Sequence, residues 1–392
     1  MTSPAAQGPL AGVTVLDLST VGPGARCTRL LADFGACVIK VGAPPRRAGV
    51  QTEPAFWAYS ARRGWRQVRI DLKAPEGKGA FLALAAKADV VLESYRPGVV
   101  ARLGIGWDDV RRVNPRIVYC STSGYGQTGP ASSWAGHDLD YLALGGYLHA
   151  SGRGPDGKPP LPGATIADSA AGGMHAALSI LAALLERERT GTGAYLDVSV
   201  AEGVLSLMSL SIDEHLATGA SPGPGHDVLT GRYAWYDTYR CRDGRWIAVA
   251  AIEPHFYRNL VKALGCERWL EHQNDDAVQG EVRRDFAAAF ASRDRDDWVA
   301  ELAPGGTCVA PVYSIEELAR DPHLLARGAF TEAVAADGRR FRQLAPALAG
   351  MPRQSEPLAL RDAGASDTEA LLAEAGMKRS AIAALRESGV IA

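Results

Sequence analysis

Short apolar runs alternate with amphipathic stretches through the first half of this chain of 392 residues. The apolar runs are rich in β-branched residues, which favours strands; they span 12–18, 37–41, 68–72, 90–93 and 117–120. Helical periodicity follows several of them, at 25–34, 77–88 and 107–113. Because strands alternate with helices, the pattern predicts an α/β fold with a parallel, doubly wound sheet.

A loop rich in Gly and Pro at 151–162 precedes the most apolar part of the chain. From Asp168 almost no polar residue occurs before Glu186, and the T-G-T-G that begins at Thr190 ends the run. This pattern predicts one long helix with Asp168 as its N-cap. No uninterrupted apolar run reaches the length that we expect of a membrane span. A strand at 195–200 and a helix at 201–216 should follow.

The sequence S-P-G-P-G-H at 221–226 has the composition of a linker and opens a second region. That region is predicted to run through segments at 233–240, 246–251, 287–302 and 308–312, of which 246–251 is an apolar strand. A later helix is predicted at 367–375. A chain of this length exceeds what one core usually serves. We therefore predict a large Rossmann-like domain at 1–220, completed by 326–392, and a smaller α+β domain at 225–325.

Composition excludes several classes of protein. A formal net charge of −2 argues against nucleic-acid binding, and no secretory signal is visible at the N-terminus. The six cysteines form no C-x-x-C or zinc spacing, which indicates reduced, mostly buried thiols and no metal site. We expect a cytoplasmic protein with no nucleic-acid or membrane partner. The first strand leads into S-T-V-G-P-G rather than G-x-G-x-x-G, so a dinucleotide-dependent dehydrogenase is disfavoured.

Two residues at Gly-rich junctions are candidates for proton transfer at carbon. His137 lies in A-G-H-D, and histidine side chains ordinarily titrate near neutrality. Asp168 supplies a carboxylate, and inversion of a carbon centre needs one such group on each face. A helix N-terminus would lower the pKa of Asp168 and burial would raise it, so the sequence leaves its protonation state open. His149 and His175 lack a comparable context and are interpreted as structural.

Several segments resemble the class III CoA-transferase (CaiB/BaiF) superfamily, and specifically its α-methylacyl-CoA racemase branch. The segments are G-P-L-A-G-V-T-V-L-D-L-S from Gly8, L-L-A-D-F-G-A from Leu30, I-D-L-K from Ile70, E-S-Y-R-P-G-V from Glu93, S-G-Y-G-Q-T-G-P from Ser123, A-G-H-D from Ala135, D-S-A-A-G-G-M-H-A-A-L from Asp168, Y-D-T-Y from Tyr236 and A-I-E-P-H-F-Y from Ala251. The resemblance runs to about residue 327.

The resemblance implies a racemase or epimerase of 2-methylacyl-CoA thioesters that works by 1,1-proton transfer through an enolate. It gives His137 and Asp168 as the acid–base pair and Glu253 as the partner of the histidine, where a carboxylate would fix the tautomer. Backbone donors of the turn at 136–138 are a candidate hole for the enolate. No cofactor is expected beyond the CoA moiety of the substrate.

The same resemblance implies a CoA groove and an assembly. The groove would be lined by Ile70, Asp71, Leu72, Lys73, Ser94, Tyr95, Arg96, Arg102, Gly136, Asp138, Leu139, Asp140 and Tyr141. Arginines and lysines in such a groove would bind the phosphates of CoA. The family forms interlocked homodimers, with the active site between the large domain of one chain and the small domain of the other.

The chain departs from the racemase pattern near the nucleotide and beside the catalytic carboxylate. Ala43 stands where an arginine usually lies near the adenine, and Arg46 or Arg47 is a possible substitute. Ala164 stands where an asparagine usually precedes the catalytic aspartate by four residues. Whatever hydrogen bond orients Asp168 must then come from elsewhere.

Two further departures lie beside the histidine and in the acyl pocket. Asp140 replaces an asparagine and adds negative charge near His137. In the stretch at 229–234, Arg232 and Tyr233 are bulkier and more polar than the family's usual residues. Such a pocket favours an unusual acyl group that is shorter or carries a polar function.

Two other functions remain open. In the CoA-transferases of the superfamily, the residue matching Asp168 is a nucleophile that forms an acyl-enzyme anhydride, and a histidine at the other site is not expected. His137 therefore favours the racemase over the transferase. A CoA-binding protein that keeps the scaffold without catalysis is the remaining alternative.

Overall fold

A computed structural model describes residues 8–19, 21–44, 56, 63–152, 154, 156–346, 350–351, 353, 356–362 and 364–392. The strands are β1 Thr14–Asp17, β2 Cys37–Gly42, β3 Trp65–Arg69, β4 Val90–Glu93, β5 Val118–Ser123, β6 Ala194–Ser199, β7 Tyr236–Arg240, β8 Trp246–Ala250, β9 Val309–Pro311, β10 Phe330–Val334, β11 Arg340–Leu344 and β12 Leu358–Ala359.

The helices are α1 Gly22–Asp33, α2 Pro75–Ala85, α3 Val99–Leu103, α4 Trp107–Val113, α5 Asp138–Leu144, α6 Tyr147–Ala150, α7 His175–Thr190, α8 Val200–Leu207, α9 Ser209–Thr218, α10 Pro254–Ala263, α11 Gln279–Phe290, α12 Arg295–Leu302, α13 Ile315–Leu318, α14 Pro322–Ala326, α15 Thr368–Glu374 and α16 Arg379–Glu387. A π-helical turn at Ala167–Met174 leads directly into α7, and short 3₁₀ turns lie at Val228–Thr230, Glu267–Trp269 and Ala303–Gly305.

The chain divides into two compact units. Unit 1 comprises the described residues within 1–145, 162–208 and 322–392, and unit 2 comprises those within 146–161 and 209–321. The sequence assigned 146–161 and 209–220 to the large domain, whereas the structure places them in unit 2. For α9 the reason is visible, because Glu214 hydrogen-bonds the ring of His226 in unit 2 at 2.9 Å.

Unit 1 is built on a six-stranded parallel sheet in the order β3-β2-β1-β4-β5-β6. The α/β prediction is thus confirmed. Val15 of β1 aligns with Val38 on one side and Val90 on the other, and alternate residues of each strand fill the two faces. Because every strand runs in the same direction, all the carboxyl ends lie along one edge, and strand order reverses between β1 and β4.

The helical stretch at Ala167–Thr190 is long and apolar enough to cross a membrane by length and composition alone, contrary to the expectation from sequence. Its packing identifies it as a core helix of unit 1. Ala176, Ile180 and Leu184 are buried in the cluster beneath the sheet. Near the end of the helix Arg187 is buried and pairs with Asp89 at 3.0 Å, and Gly191 ends the helix with φ +73°.

Unit 2 contains the three-stranded antiparallel sheet β7-β8-β9 with α10, α11 and α12 packed on it. Its core is aromatic: Tyr239 stacks on Phe290 and contacts Phe286 edge to face. β8 confirms the predicted strand at 246–251. The segments at 233–240 and 308–312 contain β7 and β9, and the segment at 287–302 contains the end of α11, a turn and α12.

The C-terminal part of unit 1 contains a small sheet, β11-β10-β12, and α16, none of which the sequence pattern predicted. Its last residues cover the outer edge of β3. Ile391 bridges Ile70, the N–H of Asp71 donates to Val390 O at 2.8 Å, and the N–H of Ala392 donates to Arg69 O at 3.1 Å.

Candidate active site

His137 is the N-cap of α5, in extended backbone, and its side chain is exposed. The carboxylate of Asp140, three residues later, accepts the backbone N–H of His137 at 2.9 Å. This is the reciprocal bond of a capping box, in which the N3 side chain stabilises the helix start. The unusual Asp140 thus fixes the backbone that carries the imidazole.

Close packing of two tyrosines against glycines shapes the turn before His137. The Tyr141 hydroxyl donates to Gly136 O at 2.6 Å, and Tyr141 meets Tyr125 edge to face at 5.2 Å. A Cβ at Gly124 would lie 2.4 Å from the Tyr141 ring, and one at Gly136 would lie 2.7 Å from the Tyr125 hydroxyl. Only glycine fits at these two positions without moving the rings.

The sequence predicted Asp168 as a helix N-cap, and this is wrong. Asp168 lies inside the π-helical turn, whose N-cap is Ile166. Its backbone N–H donates to the carboxylate of Asp138 at 2.8 Å. Asp138 directly follows His137, so this bond ties the start of α5 to the segment that carries Asp168. The structure therefore brings the two predicted catalytic residues of unit 1 into one neighbourhood.

The π-helical turn is held by very close contacts with α1 and α8. A Cβ at Gly172 would lie 2.5 Å from Pro23, and one at Gly173 would lie 2.7 Å from the Arg26 Cβ. On the other side, a Cβ at Gly203 of α8 would lie 2.0 Å from Ala171 O. Single π turns inside helices frequently occur at functional sites. Here the packing fixes the position of Asp168.

Arg26 of α1 is a site residue that the sequence analysis missed. Its guanidinium lies 3.6 Å from Asp168 Oδ2, and the arginine side chain is only 7% exposed. It donates to Gly22 O at 2.9 Å, Thr165 Oγ1 at 2.7 Å and Ser169 Oγ at 2.9 Å. Local sequence does not single it out, because Arg29 and Asp33 also carry charge on α1.

The sequence left the protonation state of Asp168 open, and in the structure burial raises its pKa. Arg26 acts in the opposite direction, Asp138 adds to the rise, and His137 lowers the pKa. The net effect is a raised pKa. A carboxyl group with a raised pKa is better suited to carry a proton near neutrality than an ordinary aspartate.

An open groove of about 540 Å³ lies beside the start of α5. It is lined by Tyr125, Trp134, Ala135, Asp140, Ala143 and Leu144. Trp134 is 58% exposed and contacts Tyr125 edge to face, so the groove has one aromatic wall.

The candidate hole for the enolate needs a correction. The N–H of His137 is already bonded to Asp140, so it is not free to bind an oxyanion. The N–H groups of Gly136, Asp138 and Leu139 donate to no acceptor within the described ranges. They are the donors that remain at this turn.

The predicted CoA-binding segments follow β3, β4 and β5, so all of them lie along the carboxyl edge of the sheet. Lys73, Arg96 and Arg102 are exposed there, and Ser94 is partly buried. Leu72 and Tyr95 pack on the same core cluster. The side chain of Ile70 is 1% exposed and belongs to that core, so only its backbone can face a ligand.

Glu253 lies in unit 2 as the exposed N-cap of α10, directly beyond β8. Its predicted pairing with His137 stays a prediction. Arg232, from the altered acyl-pocket stretch, is paired with Asp276 at 2.6 Å and lies over the ring of Tyr233. The positive charge of Arg232 is therefore matched inside unit 2.

The remaining predicted residues lie apart from these contacts. Ala43 and Ala164 are exposed, and Arg46 and Arg47 fall outside the described residues. His149 and His175 are exposed. The six cysteines are free thiols, four of them buried. Within the described part of the chain, no group of three or more His, Cys, Asp or Glu is arranged to hold a metal ion.

A doubly wound parallel sheet with an imidazole and a partly buried carboxyl group at its carboxyl edge is typical of an α/β enzyme. The family model of CoA-transferase family III matches residues 10–359. The chain belongs to this family.

Known proteins of the family include both predicted activities. The chain is 36% identical to the human "Alpha-methylacyl-CoA racemase" over 385 residues, 97% of each chain. It is 33% identical to the "Succinyl-CoA--D-citramalate CoA-transferase" of Chloroflexus aurantiacus over 83% of this chain and 84% of that one. A crystal structure of a CaiB/BaiF family protein from Brucella suis superposes with a TM-score of 0.74 at 26% identity, covering 94% of this chain and 99% of that chain.

Proposed function

We propose that the protein is an epimerase of 2-methylacyl-CoA thioesters that works by 1,1-proton transfer. One observation carries this proposal: the bond from the Asp168 N–H to Asp138 holds a carboxyl group beside the turn that presents His137. Similarity to a racemase along 97% of both chains supports it.

The reaction needs one base and one acid on opposite faces of C2. In one direction His137 takes the α-proton, and the electron pair moves to the thioester carbonyl to give an enolate. The N–H of Asp138 stabilises the enolate oxygen, since fixed donors in a site with little water act strongly on developing charge. Asp168 then gives its proton to the opposite face, which restores the thioester with C2 inverted. The raised pKa of Asp168 supports this role.

Binding of CoA is assigned to the carboxyl edge of the sheet. Lys73, Arg96 and Arg102 are exposed cations there and suit the phosphates of CoA. We expect the enzyme to act in the cytoplasm, where free thiols stay reduced.

We further propose a homodimer in which Glu253 of one chain serves His137 of the other. Unit 1 supports a dimer because Met174, Leu178 and Leu185, along the π-helical turn and α7, are 54%, 68% and 72% exposed. Large exposed apolar patches mark interaction sites. Sedimentation velocity should show a dimer that Leu178→Lys weakens; a monomer at micromolar concentration would refute the assembly.

A CoA-transferase is the second candidate, favoured by the similarity to the D-citramalate enzyme. In that reaction a carboxylate oxygen of Asp168 attacks the thioester carbonyl, and CoA leaves as the thiolate, which gives an acyl-aspartyl anhydride. Hydroxylamine trapping separates the two chemistries, because the epimerase forms no acyl-enzyme.

A panel of 2-methylacyl-CoAs in D2O tests the proposal. We expect deuterium at C2 and loss of stereochemical purity with the wild-type enzyme, and loss of both in His137→Asn. His175→Asn is a matched control, since His175 is an exposed histidine of the same unit. Full exchange in His137→Asn would contradict the mechanism, and absence of turnover with every acyl-CoA would favour a non-catalytic CoA-binding protein.

A further inference from the structure

We infer that Arg26 is a positioning residue that favours the ionised carboxylate of Asp168 in the resting enzyme. This inference rests on the proposed function for its catalytic meaning. It assigns to α1 a part in the chemistry that none of the predicted site residues supplies.

The geometry separates Arg26 from an ordinary ion pair. Its Nη1 lies 3.6 Å from Asp168 Oδ2, which is an electrostatic contact and too long for a hydrogen bond. Among the described residues, the guanidinium donates hydrogen bonds to the neutral acceptors Gly22 O, Thr165 Oγ1 and Ser169 Oγ. Within the described ranges no side chain or backbone group donates a hydrogen bond to the Asp168 carboxylate. Its oxygens thus remain free to take or give a proton.

The surroundings of Asp168 contain few charges that could replace Arg26. The groups that face it or its turn are Arg26 from α1, His137, Asp138 and Tyr141 from the α5 region, uncharged Val200 and Gly203 from α8, and the exposed His175 where α7 continues the turn. Burial raises the pKa of Tyr141 to about 12, so it is neutral. Arg26 is therefore the one permanent cation among the described groups that act on Asp168.

Arg26 also explains how Asp168 is positioned although Ala164 replaces the family's asparagine. With no asparagine four residues before Asp168, the carboxylate is placed by packing and by the fixed cation. In a two-base reaction one proton is shared between His137 and Asp168. The cation beside Asp168 counters the effect of burial and favours the form with the proton on His137, in which Asp168 acts as the base and the reaction runs in the opposite direction. For an anhydride mechanism the same cation would favour the nucleophilic carboxylate.

The pH profile of C2 exchange distinguishes a role in proton transfer from a role in folding. We expect the acid limb of kcat/KM to move to higher pH in Arg26→Gln, because removing the cation makes Asp168 harder to ionise, and to return in Arg26→Lys. Arg29→Gln is the matched control: Arg29 is buried on the same helix but pairs with Asp33 at 2.6 Å. Its limb should stay at the wild-type position.

A second readout needs no turnover. In protein labelled with ¹³Cγ-aspartate, the Asp168 signal is the one missing from Asp168→Asn, and it should titrate at higher pH in Arg26→Gln. If that variant does not fold, Thr165→Val with Ser169→Ala removes two anchors of the guanidinium and should shift the signal in the same direction. An unchanged titration in these variants, or an equal shift in Arg29→Gln, overturns the inference. If the wild-type protein shows no C2 exchange, the proposed function is refuted, whereas the titration of Asp168 still tests the role of Arg26.

Discussion

The contact between α8 and the π-helical turn gives the sharpest prediction, through the substitution Gly203→Ala. A Cβ at this position would lie 2.0 Å from the carbonyl oxygen of Ala171. Real Cβ contacts essentially never fall below 3.0 Å. Because the obstacle is backbone, no side-chain rotation relieves it, and the two segments must separate by at least about 1 Å.

This separation has two measurable consequences. Overpacking of this kind costs typically about 1–3 kcal/mol of folding free energy. Asp168 lies three residues before Ala171 in the same turn, so it moves with it, and a displacement of about 1 Å near the chemistry can lower a rate by about 100-fold. We expect Gly203→Ala to fold with reduced stability and to lose about two orders of magnitude in C2 exchange.

Urea unfolding followed by circular dichroism and C2 exchange in D2O measure the two effects. Gly79→Ala is the matched control, since Gly79 lies in α2 of the same unit and a Cβ there meets nothing within 4 Å. That change should stabilise the protein by up to about 1 kcal/mol through helix propensity. Wild-type stability and exchange in Gly203→Ala would refute the packing argument.

Three further predictions concern single groups. His137→Asn should lose about 10²–10⁴-fold in C2 exchange, the usual contribution of a general base, with an unchanged melting temperature because the side chain is exposed; a destabilised variant would contradict this. Tyr141→Phe should cost about 0.5–1.5 kcal/mol in urea unfolding by removing the bond to Gly136 O, and an unchanged midpoint would show that the bond does not stabilise the turn. Burial raises the pKa of Glu93 from 4.5 to about 7 despite bonds from Ser121 and the Tyr95 N–H. The protonated carboxyl group stabilises the folded protein fully below pH 4.5, and this contribution is lost as pH rises through 7. At 1.36 kcal/mol per pKa unit, the free energy of unfolding of Glu93→Gln should therefore rise by about 3 kcal/mol relative to that of the wild type over this range. A pH-independent difference would argue against a buried carboxyl group.

The parallel sheet was predictable because its strands can be recognised from local sequence alone. Buried strands such as β4 are continuous apolar runs, and α4 has the bounds that its periodicity predicts. The short strands β10 to β12 carry no such run. β10 and β11 pair across a short turn, whereas β12 joins them from residues further along the chain. Helix α16 did carry a local signal that was overlooked, because Ile382 and Leu385 lie three residues apart and form its buried face.

At the site, residue types were predictable but their arrangement was not. His137 and Asp168 could be selected from local sequence, whereas the π-helical turn depends on contacts of Gly172 and Gly203 with other helices. Arg26 could not be linked to Asp168 because more than a hundred residues separate them in sequence. Long-range packing and buried charge are what local patterns leave out.

The cover that residues 390–392 place on β3 has a consequence for synthesis on the ribosome. Asp367 and Thr368 bond the backbone of Gln67 and Arg69 on the same edge, so the outer edge of β3 stays unpaired until residues 367–392 have emerged, long after the other strands of the sheet are available. An open strand edge is a template for pairing with other chains. Nascent unit 1 should therefore be most prone to aggregation in this interval, and an affinity tag fused directly after Ala392 should lower the soluble yield more than one placed before Gly8.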